Sequence, residues 1–147
     1  MANLVYNAAK RALLVGSFKF DSAQGATTPI YCTLVGSGYA PNDDTDVYRS
    51  QLTNIVTPSN YVAFFALSSP LITTDTSGNQ GVLDGSDILI ANVTFGTSVR
   101  AAVLWASTPQ GAASDPLLAY IDFTTDQAVT AGTFQITWAA GGILALT

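Results

Sequence analysis

The ionisable side chains that could perform catalysis in this chain come from a very short set. All ten acidic residues are aspartates, and the chain contains neither glutamate nor histidine. Without histidine there is no Ser/His/Asp triad and no imidazole metal ligand, so aspartate is left as the main candidate general acid or base. The sequence therefore predicts that the protein is not an enzyme.

Two short aspartate clusters are candidates for a metal site, because hard cations such as Ca²⁺ bind several oxygen ligands. They are Asp43-Asp44-Thr45-Asp46 and Asp84-Gly85-Ser86-Asp87, and neither has the spacing of an EF-hand. We interpret both as capped turns, and we expect no metal and no cofactor. Gly36-Ser37-Gly38 lacks the Lys-Ser/Thr of a phosphate-binding loop, so we interpret it as a turn as well.

The single cysteine, Cys32, cannot form an intramolecular disulfide. It lies in the apolar run 30–35, where a buried cysteine behaves as a small hydrophobic residue. We therefore expect Cys32 to be buried and to have no redox role.

The basic residues argue against a nucleic-acid partner. There are five of them, with no run longer than two, and the net charge is −5; they are Lys10, Arg11, Lys19, Arg49 and Arg100. Binding to phosphates needs clustered lysine and arginine, which this pattern does not provide.

No segment has the roughly 18 apolar residues that cross a membrane, and the N-terminus lacks a signal-peptide core. We expect a soluble compartment and no membrane partner.

The low charge of the chain favours assembly with other subunits. Hydrophobic residues make up 48% of the chain and charged residues only 10%, whereas soluble proteins average about a quarter charged. Neighbouring subunits that cover part of the surface would explain this composition, although abundant serine and threonine could supply the polar surface instead. The length of 147 residues predicts one domain, 1–147.

One helix is predicted, at the N-terminus. Asn3 is a suitable N-cap and Gly16 a suitable C′ residue, and together they delimit about three turns with a wide apolar stripe. We expect this helix to pack on the sheet or on a neighbouring subunit. Residues 41–46 have the composition of a turn, and Asp44 or Thr45 could cap a second, short helix over 47–52.

The rest of the chain has the pattern of an antiparallel β-sheet protein. In 133–138, Phe134, Ile136 and Trp138 alternate with polar residues, which predicts a half-buried strand with these three inside. The run 97–105 is apolar on both sides, which predicts a strand covered on both faces. Further strands are expected at 28–35, 61–67, 70–73, 81–83, 88–95, 117–123 and 143–147. Strands at this spacing without helical crossovers predict a β-sandwich, of jelly-roll or immunoglobulin-like order.

Three segments carry a resemblance to a known family. They are Tyr6-Asn7-x-Ala9-Lys10-x-x-Leu13-Leu14-x-Gly16, the central Tyr39-Ala40-Pro41-Asn42-Asp43-Asp44-Thr45-Asp46, and Pro116-Leu117-Leu118-Ala119-Tyr120-Ile121-Asp122-Phe123 with Gly132-Thr133-Phe134-x-Ile136-x-Trp138. Together they resemble a family of small virion structural proteins of tailed bacteriophages. The resemblance spans nearly the whole chain and is loosest over 59–81.

The resemblance implies a capsid decoration, or cement, protein of jelly-roll type that is made in the host cytoplasm and binds the capsid exterior. Its implied partners are the major capsid protein and further copies of itself, as a dimer or trimer. The alternative is a tail or fibre module whose loops recognise a host-surface glycan or protein. For the decoration role, exposed aromatic and basic residues are the interface candidates; they are Tyr6, Lys10, Arg11, Tyr39, Tyr48 and Arg49.

Overall fold

Ten strands and one α-helix form the regular structure of residues 3–20 and 28–146, which the computed structural model describes. A single turn of 3-10 helix, Arg49–Gln51, is the other helical element in these ranges. In chain order the elements are β1 (Leu4–Val5), α1 (Asn7–Leu14), β2 (Ile30–Val35), β3 (Phe65–Ala66), β4 (Leu71–Asp75), β5 (Gln80–Asp84), β6 (Ile88–Val93), β7 (Val99–Ala106), β8 (Leu117–Gln127), β9 (Gly132–Ile136) and β10 (Leu144–Leu146).

The strands form an antiparallel β-sandwich, as the sequence predicts. One layer is a five-stranded sheet in the order β1-β8-β7-β2-β3, and the other consists of a three-stranded sheet, β10-β5-β4, and the pair β6-β9. Side chains of both layers share one hydrophobic core, in which Cys32 and Leu104 meet residues such as Ile90, Phe134 and Leu144. Burial of apolar surface between the layers is the main stabilising contribution to this fold. Cys32 is fully buried, as expected.

The five-stranded sheet is also covered on its other face. Along β7, Ala102, Leu104 and Ala106 belong to the main core, whereas Val103 and Trp105 belong to a second cluster. Because side chains alternate between the two faces of a strand, a strand with both sets buried is covered on both sides. The prediction for this strand is therefore confirmed.

The last six strands pair as a nested hairpin: β7 with β8, β6 with β9, and β5 with β10. A jelly roll of eight strands needs a fourth pair of this nested kind. The remaining partners are arranged differently, because β4 pairs with β5 and β2 pairs with β7. Jelly-roll connectivity is therefore not confirmed.

The N-terminal helix is shorter than predicted. Leu4 and Val5 form β1 against β8, and the helix begins at Asn7 with Tyr6 as its N-cap. Asn3 is not the cap; its Oδ1 instead accepts the backbone N–H of Asp122 at 2.8 Å. The backbone groups of the segment before Asn7 are satisfied by pairing with the long strand β8, so this segment does not join the helix that the sequence pattern predicts.

The C-terminal end of the helix is as predicted. Gly16 has a φ of 67°, which glycine adopts without strain. Its N–H donates to the Leu13 carbonyl, and the N–H of Ser17 donates to the Ala12 carbonyl. These two bonds are those of a Schellman motif, so Gly16 is the C′ residue.

Other expected elements also differ from the structure in their bounds. The predicted helix over 47–52 is only the single turn Arg49–Gln51, with Tyr48 and not Asp44 or Thr45 as its N-cap. Gln51 Oε1 accepts the N–H groups of Val47 and Tyr48, just before the turn, at 2.7 and 2.8 Å. The first N–H groups of the turn, those of Arg49 and Ser50, donate to the carbonyls of Asp115 and Ala112. The strand expected at 61–67 is reduced to β3, and the strand at 28–35 begins at Ile30. The strand at 133–138 ends at Ile136. Residue 147, the last of the predicted final strand, lies outside the described residues.

Candidate interaction surface

The helix α1 is bound to β8 and to the central turn 39–46 by hydrogen bonds and by burial of one side. Ala9 on its inner side is fully buried. The Tyr6 N–H donates to the Leu118 carbonyl at 3.1 Å, and the Asn7 side chain donates to the Asp44 carboxylate. The outer side of the helix thereby faces solvent. No helix in the described part of the chain has both the length and the apolar character needed to cross a membrane.

Arg11 and Tyr48, two of the six predicted interface residues, line the same groove. This helix-side groove has a volume of about 490 Å³ and lies between α1 and the loop that ends at Pro116. Lys10, a third predicted residue, is exposed on α1 and donates to Asn7 Oδ1 at 2.9 Å. The structure therefore places two of the six residues in one groove and exposes a third beside them on α1.

Tyr6 and Tyr39 are not exposed, and this expectation was wrong. Tyr6 is fully buried and Tyr39 is 4% exposed, both in the second hydrophobic cluster. Their hydroxyl groups are 3.0 Å apart, and Tyr39 also donates to Asp46 at 2.8 Å. Burial raises the pKa of both phenols, so they stay neutral. An aromatic ring with a satisfied hydroxyl is as well suited to a core as to an interface, and here both rings are core.

Arg49 is committed to contacts within the chain. Its guanidinium lies 4.3 Å from the centre of the Trp105 ring, and its Nε donates to the Asp115 carboxylate at 3.0 Å. Asp115 is buried and also accepts the Thr108 N–H at 2.7 Å. Arg49 therefore fastens the loop before β8 to the second cluster, and little of it remains for a partner.

The most exposed apolar residues of this region were not predicted. Leu14 is 89% exposed and Val15 63% exposed, at the C-terminal end of α1. An eight-residue helix resting on a sheet buries only part of a wide apolar stripe, so the width of that stripe was the signal that could have identified them.

An apolar groove of about 590 Å³ adjoins these two residues. Its lining includes Leu13 and Gly16 from the end of the helix, together with Phe18, Phe20, Ile72 and Leu146. We name Leu14, Val15 and this groove the helix-end surface. Lys19 is the one charged residue among the described residues that line the groove.

The helix-end surface is bordered by positive charge. Lys10, Arg11 and Lys19, three of the five basic residues in the chain, are all exposed within the first 19 positions. Such a surface can bury an apolar patch of a partner and favours acidic groups at the edge of that patch.

The aspartate clusters hold turns. In the first, Asp46 Oδ2 accepts from Tyr39 and from the Asn42 N–H. In the second, Asp84 accepts the Gly85 N–H, and Asp87 accepts the Trp138 N–H at 3.0 Å. Within residues 3–20 and 28–146, no three acidic or cysteine side chains are grouped so as to hold a metal ion.

Comparison of the chain with protein-family models, with curated proteins and with solved structures finds no match.

Proposed function

We propose that the protein is a structural component of a tailed-bacteriophage virion: a decoration, or cement, protein that binds the outer capsid surface and stabilises the shell through non-covalent contacts. The helix-end surface is the observation that carries this proposal. It is an exposed, strongly apolar surface on a chain with very few charged residues, and such surfaces favour permanent contact with other subunits.

The proposed role is mechanical and needs no catalytic group. A protein that binds only the assembled, expanded shell stabilises that state by mass action, since binding to one state shifts the equilibrium towards it. Particles that lack the protein should assemble normally and release their DNA at a lower temperature or under milder osmotic shock. Cryo-electron microscopy of intact particles should find the protein in many copies on the shell.

The contact through the helix-end surface is tested by Leu14→Gln. Leu14 makes little contact within the protein, so folding should be preserved, whereas burial of a leucine at an interface is worth about 1.5–3 kcal/mol. The variant should bind purified capsids from which this protein has been removed about 10-fold or more weakly than the unmodified protein does, since about 1.4 kcal/mol corresponds to a tenfold change in affinity. Leu89→Gln is the matched control, because Leu89 is 63% exposed on β6, outside the groove.

A second variant fills the groove without touching Leu14. A Cβ on Gly81 meets no other atom within 4 Å, so Gly81→Val should fold, improve strand propensity and reduce shell binding. Equal binding by the Leu14, Leu89 and Gly81 variants would show that the shell does not use this surface. If particles without the protein kept full heat resistance and failed to attach to host cells, a tail or fibre role would replace the proposed one.

A further inference from the structure

The strand β4 is an edge strand that is open to solvent on both faces. It is the outer strand of the sheet β10-β5-β4, and four of its five residues are exposed. Among the described residues, no backbone group pairs with its outer edge. The edge strands of the five-stranded sheet, β1 and β3, have only two residues each. Short edges of that kind resist strand addition, whereas a regular edge of five residues offers a row of unpaired hydrogen-bonding groups.

A cavity lies on each face of this edge. On one face, Ile72 lines the apolar groove described above. Leu83, the β5 residue that pairs with Ile72, lines the same groove. On the opposite face, Leu71, Thr73 and Asp75 line a smaller cavity of about 200 Å³. A strand added beside β4 would therefore place alternate side chains in the apolar groove and in this second cavity.

The second cavity is acidic. Asp75 and Asp84 are the charged residues in its described lining, and neither forms an ion pair with a described basic residue. Hydrogen bonds from Ser77, Gly78 and Gln80 lower the pKa of Asp75 to about 2, so it is negatively charged at neutral pH. We name this cavity the acidic cleft.

The two carboxylates are spaced along the strand. Asp84 pairs with Leu71, whereas Asp75 is four residues further along β4, a distance of roughly 13 Å at 3.3 Å per residue. A second copy of β4 would place its own Asp75 near these charges, which disfavours pairing of two β4 strands. An incoming strand with basic residues at positions one and five is complementary to the cleft.

We propose that the β4 edge binds an extended segment of another protein by strand addition, and that this segment alternates basic or polar residues facing the acidic cleft with apolar residues facing the groove. Backbone hydrogen bonds along β4 supply affinity, and the two cavities supply specificity. This contact shares the apolar groove with the helix-end surface but does not involve Leu14 or Val15, so a change at Leu14 distinguishes it from the docking of the proposed function.

The test uses the full-length protein and the labelled peptide Gly-Lys-Val-Thr-Val-Lys-Gly. Its two lysines would face the acidic cleft and its two valines the groove. Fluorescence anisotropy should show saturable binding, and hydrogen exchange followed by NMR should show new protection at the amides of β4. The peptide with both lysines replaced by glutamate should bind at least about 5-fold more weakly, the loss expected for exposed charge pairs of up to about 1 kcal/mol each.

Two controls separate strand addition from charge attraction. A lysine peptide N-methylated on the amides that face β4 should not bind, because it keeps its charges and loses its backbone donors. Asp84→Asn should weaken lysine-peptide binding about 2- to 5-fold, while it keeps an oxygen acceptor for the Gly85 N–H. Leu14→Gln should leave peptide binding unchanged, whatever it does to shell binding.

Three results would overturn the proposal. They are equal binding of the lysine and glutamate peptides, binding that survives N-methylation, and protection that appears away from β4. A concentration-dependent dimer in sedimentation that the lysine peptide dissociates would show instead that β4 pairs with a second copy of this chain.

Discussion

At the scale of single residues, polar groups in this protein act mainly by fixing loops to the sheets. Asp115 is the clearest example, since its 2% exposed side chain binds Arg49 on one side and the Thr108 N–H and hydroxyl on the other. Asp122 on β8 joins two neighbouring strands instead, since it accepts from Arg100 on β7 at 2.7 Å and from the Thr124 N–H in its own strand. A buried carboxylate with several charge-assisted or backbone partners is costly to remove, because each partner is left unsatisfied.

Asp115→Ala should therefore lower the free energy of unfolding by about 3 kcal/mol. This is the low end of the cost of breaking a buried ion pair, because the Arg49 side chain keeps some access to water. Urea denaturation monitored by tryptophan fluorescence measures this change. Asp126→Ala is the control, because Asp126 is 43% exposed and 3.6 Å from Arg100, so its removal should cost about 0.5 kcal/mol or less. Equal costs at the two positions would contradict the structural role of Asp115.

At the scale of elements, β9 shows how a period-2 pattern translates into burial. Phe134 and Ile136 are buried, and Thr133, Gln135 and Thr137 are exposed, as the alternation predicts. Trp138 is the exception, because the strand ends at Ile136 and the indole is only partly buried. Its Nε1 donates to the Ser86 carbonyl at 3.0 Å, so it holds the turn before β6 while its ring packs against the margin of the core.

Replacement of Phe134 by alanine should cost about 3–5 kcal/mol, because its ring contacts Phe95 and Phe123 in the core. Trp138→Ala should cost less, about 2 kcal/mol, since part of the indole is already in water. Gln135→Ala should cost within about 0.5 kcal/mol, as for most exposed positions. Chemical denaturation of the three variants gives the order, and a cost at Gln135 that matches Phe134 would mean that a further layer covers this strand.

At the scale of the whole molecule, the absence of histidine and glutamate shapes the response to pH. Hydrogen bonding from Arg100 lowers the pKa of Asp122, and hydrogen bonding from Ser77 lowers that of Asp75 to about 2. A carboxylate with a lowered pKa contributes stability above its unfolded pKa of about 3.9, and that contribution is lost as the pH falls towards the folded value. At the other end, burial raises the pKa of Cys32 to about 12 and raises those of Tyr6 and Tyr39.

Stability should therefore form a plateau with two limbs. It should fall below about pH 4 as these carboxylates become protonated, and above about pH 9 as the cysteine and tyrosines ionise in the unfolded chain. Thermal unfolding between pH 2 and pH 11 measures both limbs. Asp122→Asn should reduce the loss of stability at acid pH, and Cys32→Ala should reduce the first part of the loss at alkaline pH. In each case the change is measured relative to the stability of the same variant at pH 7. An acid limb that Asp122→Asn leaves unchanged would show that other groups control acid unfolding.

The sequence by itself determined the local features whose signals are short-range. The alternation in β9, the two apolar sides of β7 and the helix stop at Gly16 each depend on residues a few positions apart, and all three agree with the structure. The β-sandwich follows from the sum of such signals, because many short amphipathic strands have few other ways to bury their apolar faces.

Only the tertiary structure decided which apolar and aromatic residues remain on the surface. Tyr6 and Tyr39 have the residue type of an interface but are covered by the second cluster, whereas Leu14 has the residue type of a core and is exposed. Asn3 likewise has the residue type of a helix cap, and pairing of Leu4 with β8 gives it a different partner. Burial depends on contacts between segments more than a hundred positions apart in the chain, and local sequence patterns carry no information about such contacts.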